Sequence, residues 1–343
     1  MYIPNTTWTR AFMITSIVQA VVGIGLEAYI FAKFNGSFNL RALPPDHNEV
    51  RTIPTYLAVF MFGFIYQLIL VWDALSQKNT IQVIGLVLYN IGLLIYASIQ
   101  FFQIDDAVVL LKQTKALTDL DVWPEIRAEL ITLPILMAVA TLAFAFQAWK
   151  LYDEFAWTIY KHISADLRLK RRYLTYQIYI ALLKFDFFFF LAFTIQFLVV
   201  VAKNPVAETV LTSAALAITF VLLFLAAFWV RRESVIGMIV VIIFYFCALA
   251  YFIWKLVRMY AAEPHRVKDY EPARKSLASF ASLTIMLVIV TIIIACMCTH
   301  NFNKGLKPHV TGKSAKRTGD KAGYGNEMPS LSGPAPAQRM EID

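Results

Sequence analysis

Eight stretches of about twenty predominantly apolar residues, cut apart by short charged segments, constrain this chain more than anything else in it. They run over 11–33, 54–75, 80–103, 130–152, 178–201, 208–230, 235–257 and 277–298. A helix rises about 1.5 Å per residue, so each stretch is as long as a helix must be to cross a hydrocarbon core of about 30 Å. A water-soluble protein interrupts its apolar runs every few residues to keep a wet face. This chain does not. The fold class that follows is all-α: a polytopic transmembrane helix bundle of eight spans over residues 1–300, followed by a disordered cytosolic tail over 301–343.

Composition agrees, with 59% hydrophobic and 16% charged residues and a mean hydropathy of +0.61, against about 25% charged in an ordinary soluble domain. The first stretch holds Glu27 and has no small-residue cleavage site after it, so it reads as a span and not as a cleavable signal. The net charge of +8 sits in loops and tail, with Lys184 the main exception. That is the distribution a membrane protein beside anionic lipid needs, and it excludes nucleic acid as a partner. The tail is rich in Lys, Gly, Pro and Ser and has no apolar period, a composition that cannot bury a core.

An even number of spans puts both termini on one side. Lys and Arg are only slightly more numerous there than on the other side. The compact run Arg168, Lys170, Arg171 and Arg172 tips the orientation towards cytosolic termini. The connection between the third and fourth spans is acidic, with Asp105, Asp106, Asp119, Asp121, Glu125 and Glu129. Its Val108, Leu110, Leu111 and Leu117 suggest an amphipathic helix lying at the interface. The patterns Asn5-Thr6-Thr7 and Asn35-Gly36-Ser37 match N-glycosylation acceptors, but one falls on the cytosolic side and the other lies too close to the membrane, so neither is expected to be modified. A seven-span arrangement with an external N-terminus, which a receptor-like bundle would need, requires fusing or dropping a stretch. Arg231-Arg232-Glu233-Ser234 reads instead as a tight turn between the sixth and seventh spans.

In lipid, helices associate by close contact and hydrogen bonds, so small and polar residues mark inward faces. Such residues recur at helical spacing as Ser16, Gln19, Gly23 and Glu27; as Gln82, Gly85, Tyr89, Gly92, Tyr96 and Gln100; and as Pro134, Ala138, Thr141, Ala145 and Ala148. Trp8, Trp72, Trp149, Trp229 and Trp254 fall near span ends, where an amphipathic ring prefers the headgroup layer. No repeat is visible between the two halves of the chain.

Charges at membrane depth are costly and face the bundle or water. Glu27, Lys184 and Asp186 therefore form the candidate intramembrane polar site. Lys184 and Asp186 are two residues apart, about 200° around a helix, and cannot pair with each other. Lys184 is placed to reach the cytosolic interface, and Asp186 needs a partner from another helix. Two roles stand for Glu27 and Asp186: buried, hydrogen-bonded structural groups, or a proton or cation site in a transporter or channel. Cys296 and Cys298, at the end of the last span, are candidates for palmitoylation, or else small residues within a span. There is no Gly-rich phosphate loop, no His-Glu-x-x-His pair and no Cys-x-x-Cys pattern, so the chain is expected to be no enzyme and to hold no cofactor or metal.

The fifth stretch, Lys184-Phe185-Asp186 with its phenylalanine run and then Ala192-Phe193-Thr194-Ile195-Gln196-Phe197, resembles a fungal family of uncharacterised multi-pass Golgi apparatus membrane proteins. The opening Trp8 span, the acidic third connection and the Arg231–Ser234 turn belong to the same resemblance, which covers about residues 8–300. It implies a multi-pass protein of the Golgi membrane, without an activity or a binding motif to carry over. The expected role is structural, trafficking or scaffolding, with the lipid bilayer as solvent and other membrane or coat proteins as partners through the basic loop and tail.

Overall fold

A computed structural model describes residues 4–37, 49–113, 122–162, 167–200, 206–261 and 274–304. All regular structure among them is helical: α1 Thr7–Gly36, α2 Glu49–Ser76, α3 Thr80–Gln113, α4 Val122–His162, α5 Leu167–Val200, α6 Val206–Arg232, α7 Val235–Ala261 and α8 Arg274–His300. All eight are long and apolar enough to cross a membrane, so the seven-span arrangement does not hold. The expected tail lies, from residue 305 onward, outside the described residues.

The helices outrun their apolar stretches. α4 has 41 residues, about 60 Å, twice a hydrocarbon core. Its charged flanks contain no glycine, and their proline, Pro124, lies in the first turn where no helix hydrogen bond is lost, so the helix continues into water. The same reason corrects the interfacial helix expected near Val108. α3 simply runs on to Gln113, and its Ile104, Ala107 and Val108 share a face. They are buried against Ile30 and Phe34 of α1, Ile53 and Leu57 of α2, and Ile126 and Leu130 of α4. Leu110 and Leu111 lie on this continuation, and Leu117 falls outside the described residues.

Contacts divide the bundle into two rings of four. α1 packs on α2, α2 on α3, α3 on α4 and α4 back on α1. In the same way α5 packs on α6, α6 on α7, α7 on α8 and α8 back on α5. The halves meet where α2 and α3 touch α5 and where α3 touches α8. The topology thus repeats although the sequence does not. α3 and α5, at the centre, are 56% buried over their spans, against 17% for α6.

Cross-contacts fix the two ends. Trp8 of α1 lies edge-on to Phe146 of α4 at 5.8 Å, and Arg172 of α5 donates to the Lys304 carbonyl at 2.5 Å; this is the terminal end. At the opposite end Lys33 pairs with Glu125 at 2.6 Å and Asp106 with Lys275 at 2.9 Å. The α6–α7 turn falls where expected, at the terminal end. Glu233 takes a left-handed φ of 53°, a helix-stopping conformation that glycine usually supplies. It is held there because its Oε2 accepts from the Asn303 backbone N–H at 3.0 Å, while Ser234 caps α7 at the Gly237 N–H. Residues 301–304, where the expected tail begins, are packed at this end, with the Phe302 side chain buried.

Two of the three inward stripes face inward. Ser16, Gln19, Gly23 and Glu27 of α1 are buried, as are Gln82, Tyr89, Gly92, Tyr96 and Gln100 of α3. Gly85 completes the α3 stripe beneath Phe185, whose ring stands 2.4 Å from where a Cβ would be. The α4 stripe is corrected: Ala145 is exposed, and the buried face is Leu133, Met137, Ala140, Phe144, Ala148 and Leu151. Phe144 meets Phe12 at 4.9 Å, so bulky interlock and not small residues seats α4 on α1. The outer surface is apolar, with Leu142 and Phe224 each 73% exposed, the inverse of a soluble protein. Trp72, Trp149 and Trp254 lie on it.

Candidate functional site

The three intramembrane charges expected from the sequence do not converge. Each is engaged by a different helix. Glu27 of α1 is fully buried, and the Gln100 amide of α3 donates to both its carboxylate oxygens at 3.1 Å. Tyr96, one turn before Gln100, is also buried and donates to the Tyr56 carbonyl at 3.4 Å. Beside it Ser276 of α8 donates to Gln196 of α5 at 3.3 Å.

Lys184 of α5 does not reach alone for the interface. Its ammonium forms an ion pair with Asp73 of α2 and donates to Gln82 Oε1 of α3 at 2.9 Å. Gln82 in turn donates to Asp73 Oδ2 at 2.8 Å and to the Leu70 carbonyl at 3.0 Å. Tyr66 donates to the Lys184 carbonyl at 2.6 Å. The cluster ties the α2–α3 turn to α5, and so one half of the bundle to the other. Such an arrangement satisfies a charge in low dielectric, where an unpaired one would be costly.

Asp186 faces the other way, as two residues on a helix require. Fully buried, it accepts from Thr291 Oγ1 of α8 at 2.8 Å, while its Oδ1 has no partner among the described residues. The Tyr179 and Tyr245 hydroxyls pair across α5 and α7 at 3.4 Å in the same region. The partner that Asp186 needed is therefore a hydroxyl, not a cation.

Sequence reading passed over two features. The first is a network through all of the first half. Gln67 of α2 donates to Gln19 of α1 at 3.2 Å, Gln19 donates to Asn90 Oδ1 of α3 at 2.7 Å, and Asn90 donates to Thr141 of α4 at 2.7 Å. Gln19 and Thr141 stood in the inward stripes, whereas Gln67 and Asn90 carried no signal beyond being amides in apolar surroundings. The second is Lys255 of α7, only 2% exposed, so Lys184 is not the main cation at depth. Its Nζ sits 3.8 Å from the Phe197 ring centroid, 5.2 Å from Trp254 and 5.6 Å from Tyr251. Aromatic faces stabilise a cation away from water.

The two cysteines part company. Cys296 is exposed on the apolar outer surface, whereas Cys298 is buried and its Sγ donates to the Thr175 carbonyl at 3.6 Å. Of the two candidates, only Cys296 is exposed. Among the described residues no group of three or more His, Cys, Asp or Glu is placed to hold a metal ion. Grooves between helices among the described residues include two of note. One, of about 510 Å³ and wholly apolar in lining but for Thr55, runs between α2 and α5 from Pro54 to Phe62. The other, of about 320 Å³, lies between α2, α5 and α6 and includes Lys184 and Arg231.

Eight continuous apolar helices, paired interior charges and an apolar exterior define a polytopic α-helical membrane protein. The chain is 32% identical over 330 residues to the UPF0658 Golgi apparatus membrane protein of Schizosaccharomyces pombe, an alignment covering 90% of this chain and 92% of that protein. It belongs to that family, the fungal UPF0658 Golgi apparatus membrane proteins. No family model matches it, and no solved structure matches it.

Proposed function

We propose that the protein is a non-enzymatic resident of the Golgi membrane with a structural, trafficking or scaffolding role. It acts through the end of the bundle that carries both termini, which lies in the cytosol. The observation that supports this reading is a division of charge. Glu27, Lys184 and Asp186 are each engaged by neighbouring helices, while the terminal end presents exposed Arg168, Lys170, Arg171, Arg231 and Arg232. A basic cytosolic face suits anionic lipid and acidic segments of coat or membrane proteins, and the tail from residue 301 extends that face in sequence.

Deleting 305–343, or replacing Lys170 and Arg171 by Gln, should mislocalise the protein or remove partners captured by proximity labelling at the terminal end. An unchanged location together with an unchanged partner profile in both variants would count decisively against the reading. Protease accessibility of tags at both ends in sealed vesicles should show both exposed on the cytosolic side.

Transport is a second reading, favoured by the one oxygen of Asp186 without a partner. Asp186→Asn and Glu27→Gln would then abolish proton flux in reconstituted vesicles, and normal flux in both variants sinks it.

A further inference from the structure

We propose that the groove between α2, α5 and α6 at the terminal end is a binding site for one anionic phospholipid of the surrounding bilayer. Arg231 holds the phosphate at the mouth of the groove, and Ile180, Leu183, Phe187, Leu223 and Ala227 receive the start of an acyl chain.

The order of polarity along the groove selects a lipid. Leu223, Ala227 and Arg231 follow one another at four-residue spacing, so they form one stripe of α6, about 12 Å long, with the cation at the helix end and apolar groups below it. α5 runs the opposite way, so Ile180 and Leu183 line the groove nearer the terminal end than Lys184, whose ammonium is paired with Asp73 of α2, and Phe187 lies deeper. A lipid presents the same sequence of charge, then hydrocarbon, from the membrane surface inward. The rim is apolar as well: Phe220, Phe224 and Phe228 of α6 are 38%, 73% and 39% exposed, and Phe187 meets Phe220 edge-on at 5.1 Å. A water-soluble phosphate has no chain to place along this apolar wall.

The charges leave room for an anion. The Lys184 ammonium donates to Asp73 and Gln82, so its charge is balanced within the bundle and Arg231 is the cation that faces an anion. Arg231 lies beside the Tyr176 hydroxyl, and its guanidinium has further donors. The acidic groups nearby are committed elsewhere. Asp73 is bound to Lys184, Glu233 turns its Oε2 to the Asn303 backbone, and Asp186 is buried towards α8. Basic pockets between spans on the cytosolic side are sites of this chemical type.

The test is native mass spectrometry of the full-length protein, purified with equal parts phosphatidylcholine and phosphatidylserine. The wild type should retain phosphatidylserine preferentially. Arg231→Gln should lower that preference about fivefold, Arg231→Lys should restore most of it, and Ala227→Leu, which fills the groove, should lower retention of both lipids. Arg10→Gln, at an exposed basic residue of α1 at the same end and outside the groove, should change nothing. Thermal unfolding midpoints near the wild-type value establish that the variants are folded. An unaltered preference in Arg231→Gln overturns the proposal. So does an equal loss in Arg10→Gln, which would mean general surface charge. Displacement of the lipid by soluble glycerophosphoserine would also overturn it, by showing a headgroup site that needs no bilayer.

Discussion

The two halves of the bundle share one topology and are held together by different chemistry. In the first, amides on α1, α2 and α3 and the Thr141 hydroxyl on α4 form one connected network, Gln67 to Gln19 to Asn90 to Thr141. In the second, the rings of α5 do most of the joining. Phe190 and Phe193 both meet Phe252 of α7, at 5.2 and 5.0 Å, and the hydrogen bonds between side chains of α5 and those of α7 or α8 include Tyr179 to Tyr245, Ser276 to Gln196 and Thr291 to Asp186. Lipid tails are as apolar as leucine, so the hydrophobic effect cannot decide which face of a span turns inward. Directional hydrogen bonds can decide it, and so can the shape of interlocking rings. The first half adds the first device to ring contacts such as Phe12 on Phe144, and the other relies mainly on the second.

The largest test strikes the shape-based side where it meets its neighbour. Phe188 of α5 is fully buried. Its ring lies 5.0 Å from Tyr89 of α3 and stacks near Tyr66 and Phe62 of α2, at 5.7 and 6.1 Å. Phe188→Ala leaves a cavity at the junction of the halves and should destabilise the detergent-solubilised protein by about 3 kcal/mol, read as a lower thermal or denaturant midpoint. Phe188→Leu should recover part of the loss. A loss under about 1 kcal/mol in Phe188→Ala, at the level of one membrane hydrogen bond, would mean that ring packing does not join the halves.

A smaller effect is expected from the polar network. Asn90 accepts from Gln19 and donates to Thr141 and, at 3.4 Å, to the Met137 carbonyl, so Asn90→Leu breaks all three bonds and strands the Gln19 amide. Interhelical hydrogen bonds in membranes average about 0.6 kcal/mol and reach about 1.7, which puts the loss at about 1–2 kcal/mol. Amide hydrogen exchange should rise in α1–α4 and stay unchanged in α6 and α7. A uniform rise across all eight helices would erase the distinction between the halves.

The contrast explains what could be read from the sequence. Span count was legible because hydrocarbon rewards apolar length directly, without the alternation a wet face would impose. The stripes of α1 and α3 were legible because their inward residues are small or polar, the types that stand out in an apolar run. α4 was not, since Leu133, Met137 and Phe144 are apolar like everything around them, and only the shape of α1 selects them over Ala145. Helix ends were misplaced because nothing in the flanks of α3 or α4 breaks a helix in water. Lys255 and Asp73 each follow a tryptophan, at Trp254 and Trp72, and that pairing reads as a membrane edge although the fold buries Lys255 and joins Asp73 to Lys184. Glu27 and Asp186 were found as charges but not their partners, because Gln100 and Thr291 acquire their meaning only from the neighbouring helix.

The smallest effect is the most discriminating. Thr291→Val keeps the side-chain shape and removes the one hydroxyl that reaches Asp186. If ring packing specifies the second half, this bond is an accessory, and the loss should be about 0.6 kcal/mol, the membrane average for one hydrogen bond. Hydrogen exchange should change only where α5 and α8 meet, and Thr291→Ser should return it to the wild-type level. If Asp186 instead anchors the half, stranding a fully buried carboxylate costs far more than an average bond. Thr291→Val would then equal or exceed Asn90→Leu. That result would place both halves under the same rule, polar anchoring, and would leave the phenylalanine run of α5 as filling around it.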